Sequence, residues 1–194
     1  MFGRDLVNWN NNFTWAKWVT PSRDLISTFK QEGDEVRFKE SVVYYDCGWS
    51  NYYPSDNYPF MYKCRSANSS IIKYRYADVL LLKAEALIMQ DTPDLEGAAD
   101  IIDEVRDRAK LGALSSSTRS NKDALLNALL KERRLELAFE GQRWFDLVRL
   151  DKVEEVMNAV HAKDSGRKAQ VYTYDKNSYR LPIPQSVIDA NDKI

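Results

Sequence analysis

Hydrophobic residues recur at helical spacing through the middle of the chain, beginning near residue 74. The segment YRYADVLLLKAEALIMQ predicts a helix with one main apolar face, formed by Tyr76, Val79, Leu80, Ala84 and Leu87. Further apolar residues widen that stripe, namely Leu81, Leu82 and Ile88. A stripe of this width is typical of a helix that is buried on most sides.

A second helix follows after the short segment DTPD. Its apolar residues are spaced three and four apart, at Leu95, Ala98, Ile102, Val105 and Ala109. Because so short a connection leaves little freedom, the two helices are expected to pack as an antiparallel hairpin. The small alanine side chains of the second helix would let the two axes approach closely.

A second pair of helices is predicted further along the chain. The third helix starts near Asn121 and ends at Gly141, where positive φ is easily adopted. Its predicted buried row is formed by Leu126, Leu129, Leu130 and Leu137. The fourth helix runs from about Gln142 to Val160, with a break near Asp151. Two successive hairpins indicate a tetratricopeptide-like stack, although the repeat of about 34 residues is not clearly present.

The two ends of the chain follow a different pattern. In PSRDLISTFKQ, Ser22 is a helix N-cap, and the apolar face is formed by Leu25, Ile26 and Phe29. The segment VRFKESVVYY alternates enough to predict a short strand, YRLPIP reads as extended, and PQSVIDAN as a last helical turn.

We therefore predict an all-α fold of tetratricopeptide-like helical hairpins with long ordered loops and little strand. Its single domain, 1–194, would comprise an aromatic-rich loop region 1–73, helical hairpins 74–160 and an extended tail 161–194.

Composition and charge exclude several classes of function. The 194 residues are 44% hydrophobic and 29% charged, as in ordinary globular domains, and the formal net charge is −1. Without a basic block, binding to nucleic acid or to an anionic membrane surface is not expected. No window approaches the roughly 20 apolar residues of a membrane span, and MFGRDLVNWN does not resemble a signal peptide. The residues alone therefore indicate either a cytosolic protein or a chain whose targeting segment has been removed.

The sequence lacks the residues that most catalytic and metal-binding sites require. His161 is the only histidine, which excludes a histidine-rich metal site, and no glycine-rich phosphate loop is present. Cys47 and Cys64 are too few for a closed zinc site; they could pair, but two cysteines without a framework pattern are weak evidence for a disulfide. We expect neither a cofactor nor a metal.

The segment KERRLELAFEGQRWFDLVRL offers two interpretations. Glu132, Glu136 and Glu140 lie four residues apart on one helix face, so two of them could form a glycosidase acid pair. Adjacent turns of one helix, however, do not make two walls of a cleft, and nearby arginines should lower the carboxylate pKa values, which does not suit a general acid. Arg133 falls in the apolar row, where its guanidinium would reach buried carboxylates or carbonyls. We therefore favour a structural charge network.

The segment YYDCGWSNYYPSDNYPFMY contains eight aromatic residues among nineteen, interleaved with Asp, Asn and Ser. Planar rings beside amide and carboxylate groups suit a sugar, whose CH face stacks on a ring and whose hydroxyls need hydrogen bonds. The alternative is that the rings only anchor a long loop onto the helices. The candidate ligand-binding residues are Trp49, Asn51, Tyr52, Tyr53 and Asp56, with Trp15 and Trp18 as further candidates.

Four motifs in order resemble the C-terminal part of the SusD/RagB family. They are RYADVLLLKAEAL, AADIIDEVRDRA, LLKERRLELAFEGQRWFDLVRL and YRLPIPQSVIDAN. PSRDLISTFKQEGDEVR also resembles an upstream element of that family. The resemblance implies an α-helical fold with tetratricopeptide-like units and long loops. It also implies a framework role for Glu132, Arg133, Glu136, Glu140, Gly141, Arg143, Asp146, Leu147 and Arg149.

The resemblance further implies a function. Family members are outer-membrane lipoproteins that bind glycans or other nutrients at the cell surface and cover a SusC-like TonB-dependent transporter. We therefore predict non-enzymatic binding of a poly- or oligosaccharide, with membrane attachment only through a lipid anchor outside this chain. Alternatives are a protein-interaction scaffold and, less favoured, a hydrolase. Asp78 stands where the family usually has Glu, and the family's N-terminal half is missing. Because family binding loops vary, the aromatic candidates rest on side-chain chemistry alone.

Overall fold

The computed structural model describes residues 20–45, 58–63, 72–163, 173–180 and 182–191. These residues are mostly helical, so the predicted all-α class is confirmed. The helices are α1 Arg23–Glu32, α2 Glu35–Ser41, α3 Tyr76–Met89, α4 Leu95–Arg108, α5 Ser116–Arg119, α6 Lys122–Glu136, α7 Arg143–Arg149, α8 Val153–Lys163 and α9 Gln185–Asp189. A two-stranded sheet is formed by β1 Val42–Tyr45 and β2 Tyr58–Met61. The chain divides into two compact units, Met1–Arg143 and Trp144–Ile194.

The core of the first unit lies where α3, α4 and α6 pack together. The connection between α3 and α4 is short, and the two helices contact each other along their length, as predicted for an antiparallel hairpin. Of the residues expected on the inner face of α4, Ala98, Ile102 and Val105 are buried, and Leu95 is partly buried against them. The core is formed by Leu81, Ala84, Ile88, Ala98, Ala99, Ile102, Val105, Leu125 and Leu129.

The predicted inner face of α3 is only partly correct, because Leu80, Ala84 and Leu87 lie in or against the core but Tyr76 and Val79 do not. Tyr76 is 72% exposed and Val79 is 54% exposed, while Leu81, Ala84 and Ile88 are fully buried. Apolar residues surround most of this helix, so their periodicity does not select one face. A buried ion pair selects it instead, because Asp78 of α3 lies 2.9 Å from Arg133 of α6.

The helix α1 forms as predicted. The Ser22 hydroxyl accepts a hydrogen bond from the Leu25 amide at 3.1 Å, and Leu25, Ile26 and Phe29 are buried. The helix ends at Gly33, which has a left-handed φ of 67°. A second cluster forms where Leu25 and Phe29 pack with Leu135 and Ala138.

The strand predicted over VRFKESVVYY is only half correct. Residues Glu35–Ser41 form α2, and the extended backbone begins at Val42. The helix forms because the Asp34 carboxylate accepts a hydrogen bond from the Arg37 amide at 3.2 Å, which caps its first turn. The strands β1 and β2 are antiparallel, and Tyr45 lies opposite Tyr58 at the end of their ladder.

The helix α6 begins as predicted, with the Asn121 side chain as its N-cap. It ends at Glu136, five residues before the predicted Gly141. The intervening residues form turns, in which Phe139 and Gly141 have left-handed φ values of 66° and 82°. Its buried row contains Leu125 rather than Leu126, which is only partly buried.

The second unit contains α7, α8, a 3-10 turn at Lys176–Tyr179 and α9. The predicted break near Asp151 is confirmed, since this residue has a left-handed φ of 53° between α7 and α8. The predicted terminal helical turn corresponds to α9. In the part of the chain that the structure describes, no helix is both long and apolar enough to span a lipid bilayer.

Candidate functional site

The three glutamates spaced four apart, Glu132, Glu136 and Glu140, point into the protein. Their side chains are only 1%, 1% and 3% exposed. Isolated buried carboxylates would be strongly destabilising, so each must be paired with cations and hydrogen-bond donors. Those partners come from segments far away in sequence, and together with the glutamates they form what we call the α6 charge network.

Arg37 connects the network to α2, the helix that precedes the hairpin of β1 and β2. Its Nη1 donates to Glu132 Oε1 at 2.6 Å and to Glu136 Oε2 at 3.1 Å. Its Nε donates to Asp34 Oδ2 at 2.5 Å. The Arg37 side chain is 9% exposed, so α2 is held on α6 by a guanidinium that is largely inaccessible to water.

Lys63 and Arg75, which follow the hairpin of β1 and β2 in the chain, bond Glu136 as well. Lys63 follows β2 and donates to the Glu136 carbonyl oxygen at 2.8 Å, and it pairs with Glu140 at 2.5 Å. Arg75 precedes α3 and donates to that same carbonyl oxygen at 2.6 Å. Arg75 also donates to the Glu136 carboxylate at 2.5 Å and to the Glu140 carboxylate at 2.8 Å. The chain therefore leaves β2 and enters α3 at one fixed point on α6.

Two cations of α4 complete the network. Arg106 pairs with Glu132 at 3.4 Å and with Glu32 at 3.2 Å. Arg108 pairs with Glu136. Cations thus lie between the glutamates, as in the structural charge network favoured from the sequence. The predicted burial of Arg133 is confirmed by its pairing with Asp78.

The pKa values of the glutamates differ in direction. Burial alone would raise the pKa of Glu136, but the hydrogen bond and charge of Arg75, with the charge of Arg108, lower it below the usual value. Burial raises the pKa of Glu132, and the nearby Arg37 and Arg106 do not offset that effect. The expectation that arginines lower the carboxylate pKa values is therefore correct for Glu136 and wrong for Glu132.

The network does not present the geometry of a hydrolytic site. Its glutamates are buried beneath arginines, so a glycosidic bond could not approach two of them from opposite sides. Within the described ranges, no group of three or more His, Cys, Asp or Glu residues could hold a metal ion. The arrangement can rigidify the segments attached to it, which is a structural role.

The predicted ligand-binding residues lie outside the described residues. These are Trp15, Trp18, Trp49, Asn51, Tyr52, Tyr53 and Asp56, as are the two cysteines. The structure does fix where the aromatic segment is attached, because residues 46–57 follow Tyr45 and precede Tyr58, which face each other across the sheet. The ligand-binding residues stay a prediction, and the structure describes only the strands on either side of residues 46–57.

Sequence reasoning missed three cations of the α6 charge network, namely Arg37, Lys63 and Arg75. Each is a cation close to the end of a helix or strand, which is a weak signal. Their glutamate partners are between 61 and 99 residues away in sequence, so local spacing gives no information about the pairing.

Comparison with known proteins identifies the family. The profile of the SusD family matches residues 57–194, so the chain belongs to the SusD family. The predicted ligand-binding residues all precede residue 57 and lie outside the matched range.

Similar proteins support the same assignment. SusD-like protein P38 of Formosa agariphila is 41% identical over 106 residues, covering 52% of this chain and 21% of P38. SusD-like protein P2 of the same organism is 33% identical over 135 residues, covering 67% of this chain and 26% of P2. The chain therefore spans about a quarter of the length of these relatives.

Solved structures show the same fold. A SusD superfamily protein from Bacteroides vulgatus superposes with a TM-score of 0.63 at 23% identity, covering 89% of this chain and 42% of the other. One from Bacteroides thetaiotaomicron gives a TM-score of 0.61 at 27% identity, covering 89% and 36%. A laminarin-binding SusD-like protein gives a TM-score of 0.54 at 26% identity, covering 88% and 36%.

Proposed function

We propose that this chain binds a poly- or oligosaccharide at the cell surface without modifying it chemically. Membership of the SusD family supports this proposal, and so does the similarity to a laminarin-binding SusD-like protein. The proposed ligand-binding residues are those predicted from the sequence, with the Trp49, Tyr52 and Tyr53 rings as stacking surfaces and with Asn51 and Asp56 as hydrogen-bonding partners for sugar hydroxyls.

The observation that supports this proposal most directly is the attachment of the aromatic segment. Residues 46–57 connect β1 to β2, and the flanking Arg37 of α2 and Lys63 after β2 are bonded to Glu132 and Glu136 of α6. A binding segment gains affinity when its ends are fixed in advance, because less conformational freedom is lost on binding. The α6 charge network supplies such fixed ends.

We further propose that the full-length protein is the lipid-anchored partner of a SusC-like TonB-dependent transporter in the outer membrane. Family membership supports this role. The test is to purify the tagged full-length protein from outer membranes in mild detergent and to identify its partners by mass spectrometry. A transporter of this class should be recovered in comparable amount; recovery of the protein alone would contradict the proposal.

A second candidate function, a protein-interaction scaffold without glycan contact, is favoured by one feature. Tyr74, Tyr76 and Val79 are 76%, 72% and 54% exposed at the start of α3. Exposed apolar residues that lie close together are typical of contacts between proteins. Under this interpretation, Tyr76→Asp would abolish a protein contact, and no polysaccharide would be bound.

Affinity electrophoresis separates the two functions. The 194-residue chain is run in native gels that contain laminarin or one of a panel of other polysaccharides, beside an unrelated protein of similar mass and a gel without polysaccharide. Retardation in at least one polysaccharide gel is the expected result. Migration unchanged in every gel would contradict glycan binding. A reducing-sugar assay on the retarding polysaccharide should show no release of new reducing ends, and release would contradict a non-enzymatic role.

A further inference from the structure

The second unit contains a surface groove that the preceding proposal does not use. Its volume is about 590 Å³, within the range of roughly 300–1,000 Å³ that is usual for small-ligand sites. It is formed where the 3-10 turn passes into the segment before α9. The groove is lined by Lys176, Asn177, Tyr179, Arg180, Pro182 and Ile183.

Hydrogen bonds hold the wall of this groove in place. The Tyr179 hydroxyl donates to Asp151 Oδ1 at 2.6 Å, which fixes the phenol ring against the turn between α7 and α8. The Asp175 carboxylate accepts the amides of Asn177 and Ser178 at 2.9 and 3.2 Å. The Asn158 side chain bonds both the amide and the carbonyl of Tyr174, at 3.0 and 2.9 Å. The groove is thus formed before any ligand arrives.

The residues that line the groove carry a net positive charge. Of its lining residues, Lys176 and Arg180 are cations and none is acidic. Lys176 lies 3.7 Å from Asp151, whose carboxylate already accepts the Tyr179 hydroxyl. Within the described residues, Arg180 forms no ion pair. Arg180 is exposed, and the planar fork of its guanidinium fits a carboxylate or a sulfate ester.

We propose that this groove binds an acidic saccharide. The sugar ring would lie against the apolar surface of Tyr179, Pro182 and Ile183, and its carboxylate or sulfate ester would accept hydrogen bonds from Lys176 and Arg180. That the ligand is a saccharide rests on the proposed function, whereas the site and the negative charge of the ligand do not. The groove is separate in sequence from the aromatic segment 46–57.

The test is isothermal titration of the 194-residue chain with three probes. Oligogalacturonate supplies carboxylates, a carrageenan oligosaccharide supplies sulfate esters, and laminarin oligosaccharide is neutral. At least one acidic probe should bind, and Lys176→Gln and Arg180→Gln should each weaken that binding about tenfold, because each removes a charge-assisted hydrogen bond. Binding of the neutral probe should change less than about twofold. The preferred acidic probe identifies which anion the groove takes.

The control is Lys83→Gln, which removes the same charge from an exposed position of α3 in the other unit. It should leave all three affinities unchanged. Equal weakening by Lys83→Gln would indicate attraction by overall charge and would overturn the proposal, as would undiminished binding in the Lys176→Gln, Arg180→Gln double variant. If that double variant fails to fold, Arg180→Lys, which keeps the charge and loses the fork, should still weaken binding.

Two further outcomes separate this proposal from others. A glutamate oligopeptide that displaces the acidic saccharide at equal concentration would overturn the assignment of a saccharide in favour of an acidic peptide. Failure of both acidic probes to bind the parent chain would overturn the groove as a site, even if laminarin binds. If the acidic probe binds the groove but no neutral glycan binds the chain, the aromatic segment fails and the groove stands.

Discussion

At the scale of single residues, Glu136 shows how the protein stabilises charges that it buries. Its carboxylate accepts from Arg37, Arg75 and Arg108, and its carbonyl oxygen accepts from Lys63 and Arg75. Ion pairs on a protein surface contribute little, but removal of one partner from a buried pair leaves an uncompensated charge. Single substitutions in this network should therefore destabilise the fold strongly.

The buried pair Arg133–Asp78 gives the first prediction. Both side chains are nearly inaccessible, at 1% and 3%, and they lie 2.9 Å apart. Arg133→Ala should lower the free energy of unfolding by roughly 2–4 kcal/mol, because Asp78 is left buried without its cation. Urea unfolding measures the change. The control is the double variant Arg133→Ala, Asp78→Ala, which should lose less than the sum of the single losses. Additive losses would mean that the pair does not interact.

The opposite pKa directions of Glu136 and Glu132 give the second prediction. The pKa of Glu136 lies below its unfolded value of 4.5, so its stabilisation is present above about pH 4.5 and is lost as the pH falls through the folded pKa. The pKa of Glu132 is raised, so its contribution is present below about pH 4.5 and is lost as the pH rises. Urea unfolding at a series of pH values measures this dependence. Glu136→Gln should reduce the loss of stability below about pH 4.5, and Glu132→Gln should reduce the loss above it. Identical changes in both variants would contradict these assignments.

At the scale of elements, the sequence predicts a helix or strand well where local side chains determine it. Ser22 and Asn121 cap their helices by contacts within one turn, and both helix starts are predicted correctly. The inner face of α3 is not predictable in this way, because it depends on Asp78 meeting Arg133, 55 residues later. The same holds for the end of α6, where the chain turns immediately after Glu136 is bonded by Arg75 and Lys63.

The turn between α6 and α7 gives the third prediction. Gly141 has a φ of 82°, and a Cβ atom there would meet no atom within 4 Å. Gly141→Ala should therefore cost about 1–2 kcal/mol from backbone strain alone. Gly112 is a matched control, since a Cβ there also meets nothing and its φ is not left-handed. Gly112→Ala should be neutral or slightly stabilising in thermal unfolding. An equal loss in both variants would show that the turn geometry is not the cause.

At the scale of the whole molecule, the charge network and the aromatic candidates differ in how far the sequence alone reveals them. The three glutamates can be recognised in the sequence by their spacing of four. Their cations cannot, since each lies at least 26 residues from its glutamate. The aromatic candidates were visible as an unusual local composition, and no contact described by the structure tests them. The network is buried, whereas the aromatic candidates are proposed to contact a ligand, so stability and ligand binding should respond to different substitutions.

The last prediction tests that separation. If Trp49 is a stacking surface for a glycan, Trp49→Ala should remove most binding to a retarding polysaccharide. One well-placed ring contributes about 1–3 kcal/mol, a large part of the roughly 4 kcal/mol that a millimolar site possesses. The melting temperature should barely change, because an exposed ring adds little to the core. Isothermal titration and thermal unfolding of the same protein samples measure both quantities.

Two comparisons make this prediction decisive. Trp49→Phe keeps an aromatic face and should retain much of the affinity, whereas Trp15→Ala and Trp18→Ala should weaken binding less, because they lack the neighbouring Asn51 and Asp56 as partners for sugar hydroxyls. Arg133→Ala should show the reverse pattern, with a large loss of stability and an affinity that is unchanged once it is corrected for the folded fraction. If instead Trp49→Ala lowers the melting temperature by many degrees and leaves the corrected affinity intact, the ring belongs to the core. The aromatic residues would then serve folding, and the glycan would have to bind elsewhere.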